Sequence, residues 1–426
     1  MSCGERLGDS SMLSRCIGPG TWVFFAAVGL ASCAQRPPML ATPTVLTPAI
    51  APTITFIGCS TVGAVPTSGA SSALPPVTPA DYVRGPASAS ITLLAYCDFQ
   101  SAECELFSRV LDELEKNHPK DLKVVVRPLP VPVSVVASLD KSELAARAVL
   151  AAGDQGKFWE LRETLHTRYS EWVRLSPAAF EKWITVRASE LKLDMTRFAI
   201  DLASPRTTAR AKTLYESAMG MGLSGIPTVF INGELQARAA LSRQGLDSTI
   251  SLIALGPRQF RTCPPFDIDP SRQYRATIRT AKGDIVIQLF VDKAPLAVNS
   301  FVFLAQHAWF DDVTFHRVIP GFVAQAGDPS GTGRGGPGYF FKNEIRSDLQ
   351  FDGPGVVGMA NSGPDTNGSQ FFITFGAQPR LDGSYTIFGH VIAGMDVAER
   401  LTARDPDATT GPPVGDKILS VTIAVQ

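Results

Sequence analysis

The sequence has little excess charge, few histidines and no closely spaced cysteines. Its 39 basic and 40 acidic residues give a net charge of −1, and no basic run is interleaved with aromatic residues, which argues against a nucleic-acid partner. Five histidines and seven cysteines without Cys-x-x-Cys spacing argue against a metal site. What is present is 45% hydrophobic residues over 426 positions, which is typical of two or three folded domains.

Residues 1–32 are typical of an export signal. Arg6 and Arg15 precede an apolar run over residues 22–31 that is too short to span a bilayer. The run ends in Leu30-Ala-Ser-Cys33, which resembles the lipobox of bacterial lipoproteins. The resemblance implies that Cys33 becomes the lipid-modified first residue of the mature chain, and Met12 is a second candidate for the start of translation. A plain cleavable signal with an incidental cysteine is the alternative.

Residues 33–80 are rich in Pro, Ala, Thr and Ser and almost without charge, a composition that favours a tether over a packed core. A lipid, a tether and then folded domains is the order expected of a protein held at a membrane. We therefore expect the protein on the outer face of the bacterial cytoplasmic membrane, or on its periplasmic side. Export permits disulfides. The sequence does not choose among the three pairings of the remaining cysteines, which are Cys59, Cys97, Cys104 and Cys263.

Residues 81–257 alternate between strand and helix patterns. Buried strands are predicted at 91–96 and 122–129, separated by a helix over 102–117. Helical segments cover 142–198, and Ser204-Pro205 opens another helix, with Ser as N-cap and Pro at the first helical position. A strand that leads into a turn over 225–233 and a helix over 237–254 close the region. The order predicts an α/β domain with a helical insertion between two halves of a sheet.

This order resembles the thioredoxin fold of the DsbA-like thiol oxidoreductases. Asp98-Phe-Gln100 and Ile226-Pro-Thr228 carry the resemblance, which implies a cis peptide bond before Pro227. The family's chemistry needs a Cys-x-x-Cys pair at a helix N-terminus, where the helix dipole stabilises the attacking thiolate. Here Ser101 takes the first position and Cys104 the second, and a serine forms no disulfide. We therefore expect a redox-inactive domain, kept as a scaffold or as a peptide-holding surface, in which Ser101 is an N-cap.

After a linker over 258–271 the pattern turns to strands. Residues 274–280 and 284–290 alternate across a Lys282-Gly283 turn, which is a hairpin signal. Helices are predicted at 295–306 and near 394–402. Three blocks follow, and together they pair one guanidinium and two carboxamides with apolar and aromatic residues, a combination that suits a shallow pocket for a small apolar ring. The blocks are residues 315–328, 358–373 and 381–389.

In order and spacing these blocks resemble the cyclophilins, which are peptidyl-prolyl cis/trans isomerases, over about residues 274–425. For the domain over 272–426 the resemblance implies a mainly-β closed barrel of eight strands capped by two helices. The implied reaction is rotation about an X-Pro amide. Its barrier is about 18–20 kcal/mol because rotation breaks the amide resonance. This reaction requires no metal and no cofactor.

The resemblance assigns roles to ten residues of the C-terminal domain. The implied catalytic residues are Arg317, Phe322 and Gln325. The implied substrate-binding residues are Val323, Ala360, Asn361, Gln370, Phe372, Leu381 and Tyr385. Three positions depart from the pattern. Val323 stands where the family usually has methionine, Arg380 occupies a position often filled by tryptophan or histidine, and Tyr385 replaces a histidine of the eukaryotic members. These changes leave cyclosporin affinity open.

The sequence thus predicts an exported, membrane-tethered prolyl isomerase that binds proline-containing segments of exported proteins and assists their folding. A peptide-binding holdase with weak or no turnover is the alternative, because the lost dithiol shows that this chain tolerates one inactive site. A thiol-disulfide oxidoreductase is a third hypothesis, and it lacks the cysteine pair that it requires.

Overall fold

The computed structural model describes residues 58–62, 76–223, 225–406 and 413–426. The predicted export signal, Cys33 and most of the predicted tether lie outside these residues. In the ranges that the structure describes, no helix is both long enough and apolar enough to cross a membrane.

The first part of the chain alternates short strands with helices. In chain order its strands are β1 (Cys59–Thr61), β2 (Val83–Arg84), β3 (Ile91–Cys97), β4 (Leu122–Pro128), β5 (Thr228–Ile231) and β6 (Glu234–Leu235). Its helices are α1 (Ala102–Asn117), α2 (Ser142–Gly153), α3 (Phe158–Thr167), α4 (Tyr169–Trp172), α5 (Pro177–Glu190), α6 (Met195–Ala203), α7 (Pro205–Gly220) and α8 (Arg243–Leu255).

Strands β2 to β6 form one sheet in the order β2-β4-β3-β5-β6. β3 runs parallel to β4 and antiparallel to β5, and both β3 and β4 are almost wholly buried, as their continuous apolar runs predict. Helices α2 to α7 all lie between β4 and β5 in the chain. The expected α/β domain with a helical insertion between two halves of a sheet is therefore observed.

Helix starts in this domain follow the capping residues. Ser101 begins α1 and Ser204 begins α7, each accepting a hydrogen bond from a backbone N–H of the first turn, and Pro205 occupies the first helical position as predicted. The helix predicted over 237–254 is wrong at its start, because α8 begins only at Arg243. Ser242 has extended backbone angles and caps α8 through the amide of Gly245, so the preceding residues form a separate 3-10 turn.

The C-terminal part of the chain is mainly strands. The strands are β7 (Tyr274–Thr280), β8 (Gly283–Leu289), β9 (Arg317–Ile319), β10 (Val323–Ala326), β11 (Tyr339–Phe341), β12 (Pro354–Met359), β13 (Phe371–Phe375), β14 (Ile387–Ala393) and β15 (Ile418–Val425). The helices are α9 (Pro295–Gln306) and α10 (Met395–Glu399). The predicted β7–β8 hairpin and α9 are confirmed, and α10 is shorter than the helix predicted near 394–402.

The prediction of a closed barrel is wrong. Eight strands form one antiparallel sheet in the order β15-β7-β8-β14-β12-β13-β10-β9, which curls but leaves β15 and β9 as edges. Near those edges a single bridge, Thr314 to Lys417, joins the two ends among the described residues. Closure fails because the outer edge of β9 is already occupied. Val318 exchanges both of its backbone hydrogen bonds with Arg404, at 2.7 and 2.9 Å, so no donor or acceptor remains for β15.

Two segments that were predicted as connections are fixed to the C-terminal sheet. β1 pairs antiparallel with β11, and Cys59 forms a disulfide with Cys263, whereas Cys97 and Cys104 are free thiols. Of the bonds open to these four cysteines, the structure thus forms Cys59–Cys263 and leaves the other two residues unpaired. The tether interpretation does not hold for Cys59–Thr61, which form a strand paired with β11.

The predicted linker is also packed. Leu255 at the end of α8 is buried in the C-terminal core. The amide of Phe260 donates to the Pro337 carbonyl at 2.8 Å, and the Gln259 side chain donates to Gly336 O at 2.9 Å. The end of the first domain is therefore fixed against the loop formed by residues 331–338.

Candidate active site

Three of the predicted functional side chains form one row across adjacent strands. In the register of the sheet, Gln325 on β10 lies opposite both Arg317 on β9 and Phe372 on β13. Residues directly opposite one another in an antiparallel sheet project from the same face. Val323 lies two residues before Gln325 and shares that face. The strand pairing thus brings the guanidinium, a carboxamide and the apolar side chains together.

The apolar site residues form a cluster that is separate from the main core of the domain. Val323 and Phe372 are buried at its base, and Phe322, Ala360, Leu381 and Tyr385 are partly buried around them. All six were predicted. The sequence reasoning missed five further members that are ordinary core residues by pattern, namely Phe290, Leu349, Phe351, Val356 and Ile387.

Gly358 on β12 allows two aromatic rings to approach the sheet closely. It lies opposite Phe372, and a Cβ at this position would stand 2.7 Å from Phe372 Cζ and 2.9 Å from Phe351 Cζ. The two rings stack with centroids 5.4 Å apart, and Tyr385 meets Phe372 edge to face at 5.6 Å. The absence of a side chain at residue 358 therefore sets the position of the ring at the base of the cluster.

The guanidinium of Arg317 has no competing partner in the part of the chain that the structure describes. Its Cζ lies 5.3 Å from the centroid of the Phe322 ring, and none of the ion pairs or side-chain hydrogen bonds among the described residues involves it. The side chain is half-buried at the edge of the cluster. A rigid fork of N–H donors thus borders an apolar surface and is available to a ligand.

Gln325 is oriented by a chain of hydrogen bonds from behind. Its Nε2 donates to Gln370 Oε1 at 2.9 Å, and Gln370 Nε2 donates to the carbonyls of Gly333 at 3.0 Å and Gly335 at 2.9 Å. Both carbonyls belong to the loop against which the end of the first domain is packed. Gln370 is therefore placed as a support for Gln325, in agreement with its predicted position beside the arginine.

Asn361 links two loops beside the apolar cluster. Its Oδ1 accepts from the amide of Gly363 at 3.2 Å, and its Nδ2 donates to Ser384 O at 3.3 Å, next to Tyr385. Ala360 is held by a hydrogen bond from its amide to the carbonyl of Gln370 at 2.9 Å. The two residues expected under the residue before proline are thus fixed relative to the cluster.

His316 precedes Arg317 but is not placed as an acid or base. It is 3% exposed, and neither ring nitrogen has a hydrogen-bond partner among the described residues. Burial lowers its pKa, the charges of Arg404 and Arg317 lower it further, and Asp328 opposes this shift. The ring is therefore neutral near pH 7, in keeping with the expectation that His316 has a structural role.

The degenerate dithiol position of the first domain holds a cap and a buried thiol. Ser101 Oγ accepts from the amide of Cys104 at 3.3 Å and donates to Glu103 at 2.8 Å. Cys104 is 1% exposed, and burial raises its pKa well above the ordinary thiol value, with the neighbouring Cys97 adding to the shift. The peptide bond between Ile226 and Pro227 is cis, as expected.

Comparisons with known proteins identify both domains. The family model for the cyclophilin type peptidyl-prolyl cis-trans isomerases matches residues 275–423. The model for the DSBA-like thioredoxin domain matches residues 92–250. The first match covers most of the five-stranded sheet and its helices, and the second covers almost all of the eight-stranded sheet, so the chain carries a DsbA-like domain followed by a cyclophilin domain.

Curated relatives agree with the second match. Peptidyl-prolyl cis-trans isomerase A of Mycobacterium tuberculosis is 44% identical over 179 residues, covering 38% of this chain and 98% of that protein. Peptidyl-prolyl cis-trans isomerase ppi1 of Schizosaccharomyces pombe is 47% identical over 138 residues, covering 32% of this chain and 89% of that protein. A crystal structure of a Cryptosporidium parvum cyclophilin is 36% identical, with a TM-score of 0.34, and covers 36% of this chain and 98% of that one. On the strength of the curated relatives, the chain belongs to the cyclophilin-type peptidyl-prolyl cis/trans isomerases.

Proposed function

We propose that this isomerase is exported, anchored by lipid on Cys33 at the outer face of a bacterial membrane, and acts on X-Pro bonds of exported proteins during their folding. The signal-like segment at residues 1–32 motivates the export. The Cys59–Cys263 disulfide supports it, because disulfides persist in oxidising compartments and are rare in the cytosol.

The proposed mechanism is preferential binding of the twisted amide. As the X-Pro bond rotates, the proline nitrogen becomes pyramidal and regains a lone pair that the planar amide does not offer. Arg317 donates to this lone pair, so its hydrogen bond forms in the transition state and not in the ground state. A hydrogen bond to a charged group contributes about 1.5–3 kcal/mol. If realised only in the transition state, this corresponds to about ten- to hundredfold in rate.

The rest of the site positions the substrate. The proline ring rests on an apolar surface and is enclosed by Tyr385; this surface consists of Phe322, Val323, Phe372 and Leu381. Gln325, which is held by Gln370, forms a hydrogen bond with the substrate backbone. Asn361 and Ala360 lie under the residue before proline. The observation that carries the proposal is the row of Arg317, Gln325 and Phe372 on one face. The guanidinium of Arg317 forms no ion pair and no side-chain hydrogen bond with any described residue, and it lies over the face of the Phe322 ring.

Exchange spectroscopy on a proline peptide tests the mechanism. We expect Arg317→Ala to lower kcat/KM by about ten- to hundredfold. Arg317→Lys should recover only part of this loss, because an ammonium lacks the planar fork. Arg279→Ala, at an exposed arginine of β7, is the matched control and should leave the rate unchanged. Equal isomerisation rates for the wild type and Arg317→Ala would instead favour the hypothesis of a peptide-binding holdase.

We also propose that the DsbA-like domain has no thiol-disulfide activity. A buried thiol with a raised pKa supplies almost no thiolate, and the position of the attacking cysteine is Ser101. The full chain should therefore reduce or oxidise a test disulfide no faster than its Cys104→Ala variant. A faster wild type would refute this proposal.

The mass of the mature N-terminus tests the location. A diacylated fragment that begins at Cys33 is expected. An unmodified N-terminus at another residue would remove the lipid anchor from the proposal and leave the isomerase mechanism intact.

A further inference from the structure

Apart from the isomerase site, a cavity lies in the DsbA-like domain, between α1 and α3. Its volume is about 250 Å³, which suits a ligand smaller than a drug-sized molecule. Its lining includes the charged or titratable residues Glu105, Arg109, Asp112, Arg162, Glu163 and His166. None of them takes part in the isomerase site or in the degenerate dithiol position.

The cavity contains a buried cation that lacks an ion-pair partner. Arg162 is 3% exposed, its Nε has no hydrogen-bond partner, and none of the ion pairs within the described ranges includes it. Its Cζ lies 5.4 Å from the centroid of the Trp159 ring, but the ring satisfies none of the in-plane N–H donors. Burial of a charge without a partner is costly. Burial accordingly lowers the pKa of Arg162.

His166 adds a second unpartnered nitrogen to the same wall. The residue is 6% exposed, and its Nδ1 has no hydrogen-bond partner. Burial and the charge of Arg162 hold its pKa well below the ordinary histidine value, so the ring is neutral near pH 7. A neutral imidazole offers one N–H. Arg162 and His166 therefore both line the cavity, and neither forms an ion pair or a side-chain hydrogen bond among the described residues.

The acidic residues of the wall do not neutralise Arg162. Glu105 is paired with Arg109, and Asp112 is paired with Arg84. Glu163 is exposed and belongs to none of the ion pairs among the described residues. The lining of the cavity thus combines the unpaired, buried Arg162 with three acidic side chains, of which Glu105 and Asp112 are already paired with other arginines. The acidic side chains oppose a ligand with two negative charges more than a ligand with one.

We propose that this cavity binds a small monocarboxylate, whose two oxygens accept hydrogen bonds from the guanidinium of Arg162 and from the imidazole of His166. A carboxylate matches the planar fork of an arginine. It also supplies the charge that Arg162 lacks. The site gives the DsbA-like domain a ligand-binding function that needs no dithiol, and it does not depend on the isomerase mechanism.

Urea unfolding of the full chain, followed by tryptophan fluorescence, tests the site with acetate as the probe. Sodium acetate, chloride and sulfate are compared at equal ionic strength near pH 7.5. We expect acetate to raise the unfolding midpoint above that in chloride for the wild type, since a ligand that binds the native state stabilises it. The difference should vanish in Arg162→Gln. It should persist in Arg174→Gln, an exposed arginine outside the cavity.

Three outcomes overturn the proposal. In the first, the wild type has the same urea unfolding midpoint in acetate as in chloride. In the second, acetate raises the midpoint of Arg162→Gln as much as that of the wild type. In the third, sulfate raises the midpoint in a way that depends on Arg162, and acetate does not. If circular dichroism shows that Arg162→Gln does not fold, broadening of the ¹³C-acetate signal by the wild type decides instead. Broadening that unlabelled formate reverses supports the site, and no broadening refutes it.

Discussion

Adding one methyl group at Gly358 should damage the isomerase site without touching the guanidinium. The Cβ of Gly358→Ala would stand 2.7 Å from Phe372 Cζ and 2.9 Å from Phe351 Cζ, whereas carbon atoms in contact prefer about 3.5–4.0 Å. β12 is paired on one side with β13 and on the other with β14, so its backbone has little freedom to retreat. The two rings must therefore move by about 1 Å.

The expected cost follows from packing. Forcing an extra carbon into a packed site costs about 1–3 kcal/mol. If the displacement of the Phe372 ring mainly weakens its contact with the bound proline ring, kcat/KM falls by about tenfold or more. Fold stability should drop by no more than that range of energy. Exchange spectroscopy on a proline peptide measures the rate, and urea unfolding measures the stability.

Gly353→Ala provides the matched control. Gly353 lies five residues earlier in the chain, its φ is not positive, and a Cβ there would meet nothing within 4 Å. This variant should retain wild-type activity. If Gly358→Ala were as active as Gly353→Ala, the Phe372 ring would not be the surface on which the proline rests, and the proposed seating of the substrate would be wrong.

Three more predictions concern the support of the site and the stability of the fold. Gln370→Ala should lower kcat/KM by about fivefold, since one hydrogen bond contributes about 1 kcal/mol. Because Gln370 acts by holding Gln325, adding Gln370→Ala to Gln325→Ala should cause no further loss. Additive losses in this double-mutant cycle would contradict the coupling between the two side chains. A reductant should lower the urea concentration at which the wild type loses half of its activity, because the disulfide contributes about 2–5 kcal/mol. The Cys59→Ser, Cys263→Ser double variant should show no such shift. An equal shift in both proteins would contradict a stabilising disulfide. The lowered pKa of His316 means that the unfolded chain takes up a proton before the folded one as pH falls. The contribution of His316 to stability should therefore decline below about pH 6.5 by up to about 1.4 kcal/mol per pH unit. His316→Phe should weaken this dependence in urea unfolding at pH 7.5 and 5.5, and an unchanged slope would contradict it.

Local signals in the sequence located most helices and strands. Ser101 and Ser204 were recognised as N-caps because capping depends on a side chain and the amides two or three residues later. The strands β3 and β4 were recognised by continuous apolar runs, and α9 by its apolar period. The start of α8 was missed, since Ser242 caps it and the residues before it also have helical propensity.

In the isomerase site, too, local sequence reveals the residue types, whereas long-range contacts set their positions. The residue types needed for prolyl isomerisation stand in three sequence blocks, so Arg317, Gln325 and Phe372 could be named in advance. Their placement in a single row depends on the register between β9, β10 and β13, which is set by long-range hydrogen bonds. Phe351 was missed because its contact with Phe372 crosses between distant parts of the chain.

By itself the sequence determined the order of the two domains, the identity of the reactive side chains and the loss of the dithiol, because these depend on which residues are present and on their near neighbours. Tertiary structure alone decided the pairing of Cys59 with Cys263, the occupied outer edge of β9 and the unpaired Arg162 in its cavity. Each of these depends on which distant groups meet, and on which of them find no partner once the chain has folded. Hydrogen-bond and charge pairing between distant residues is a property of the packed chain, so it leaves no local pattern in the sequence.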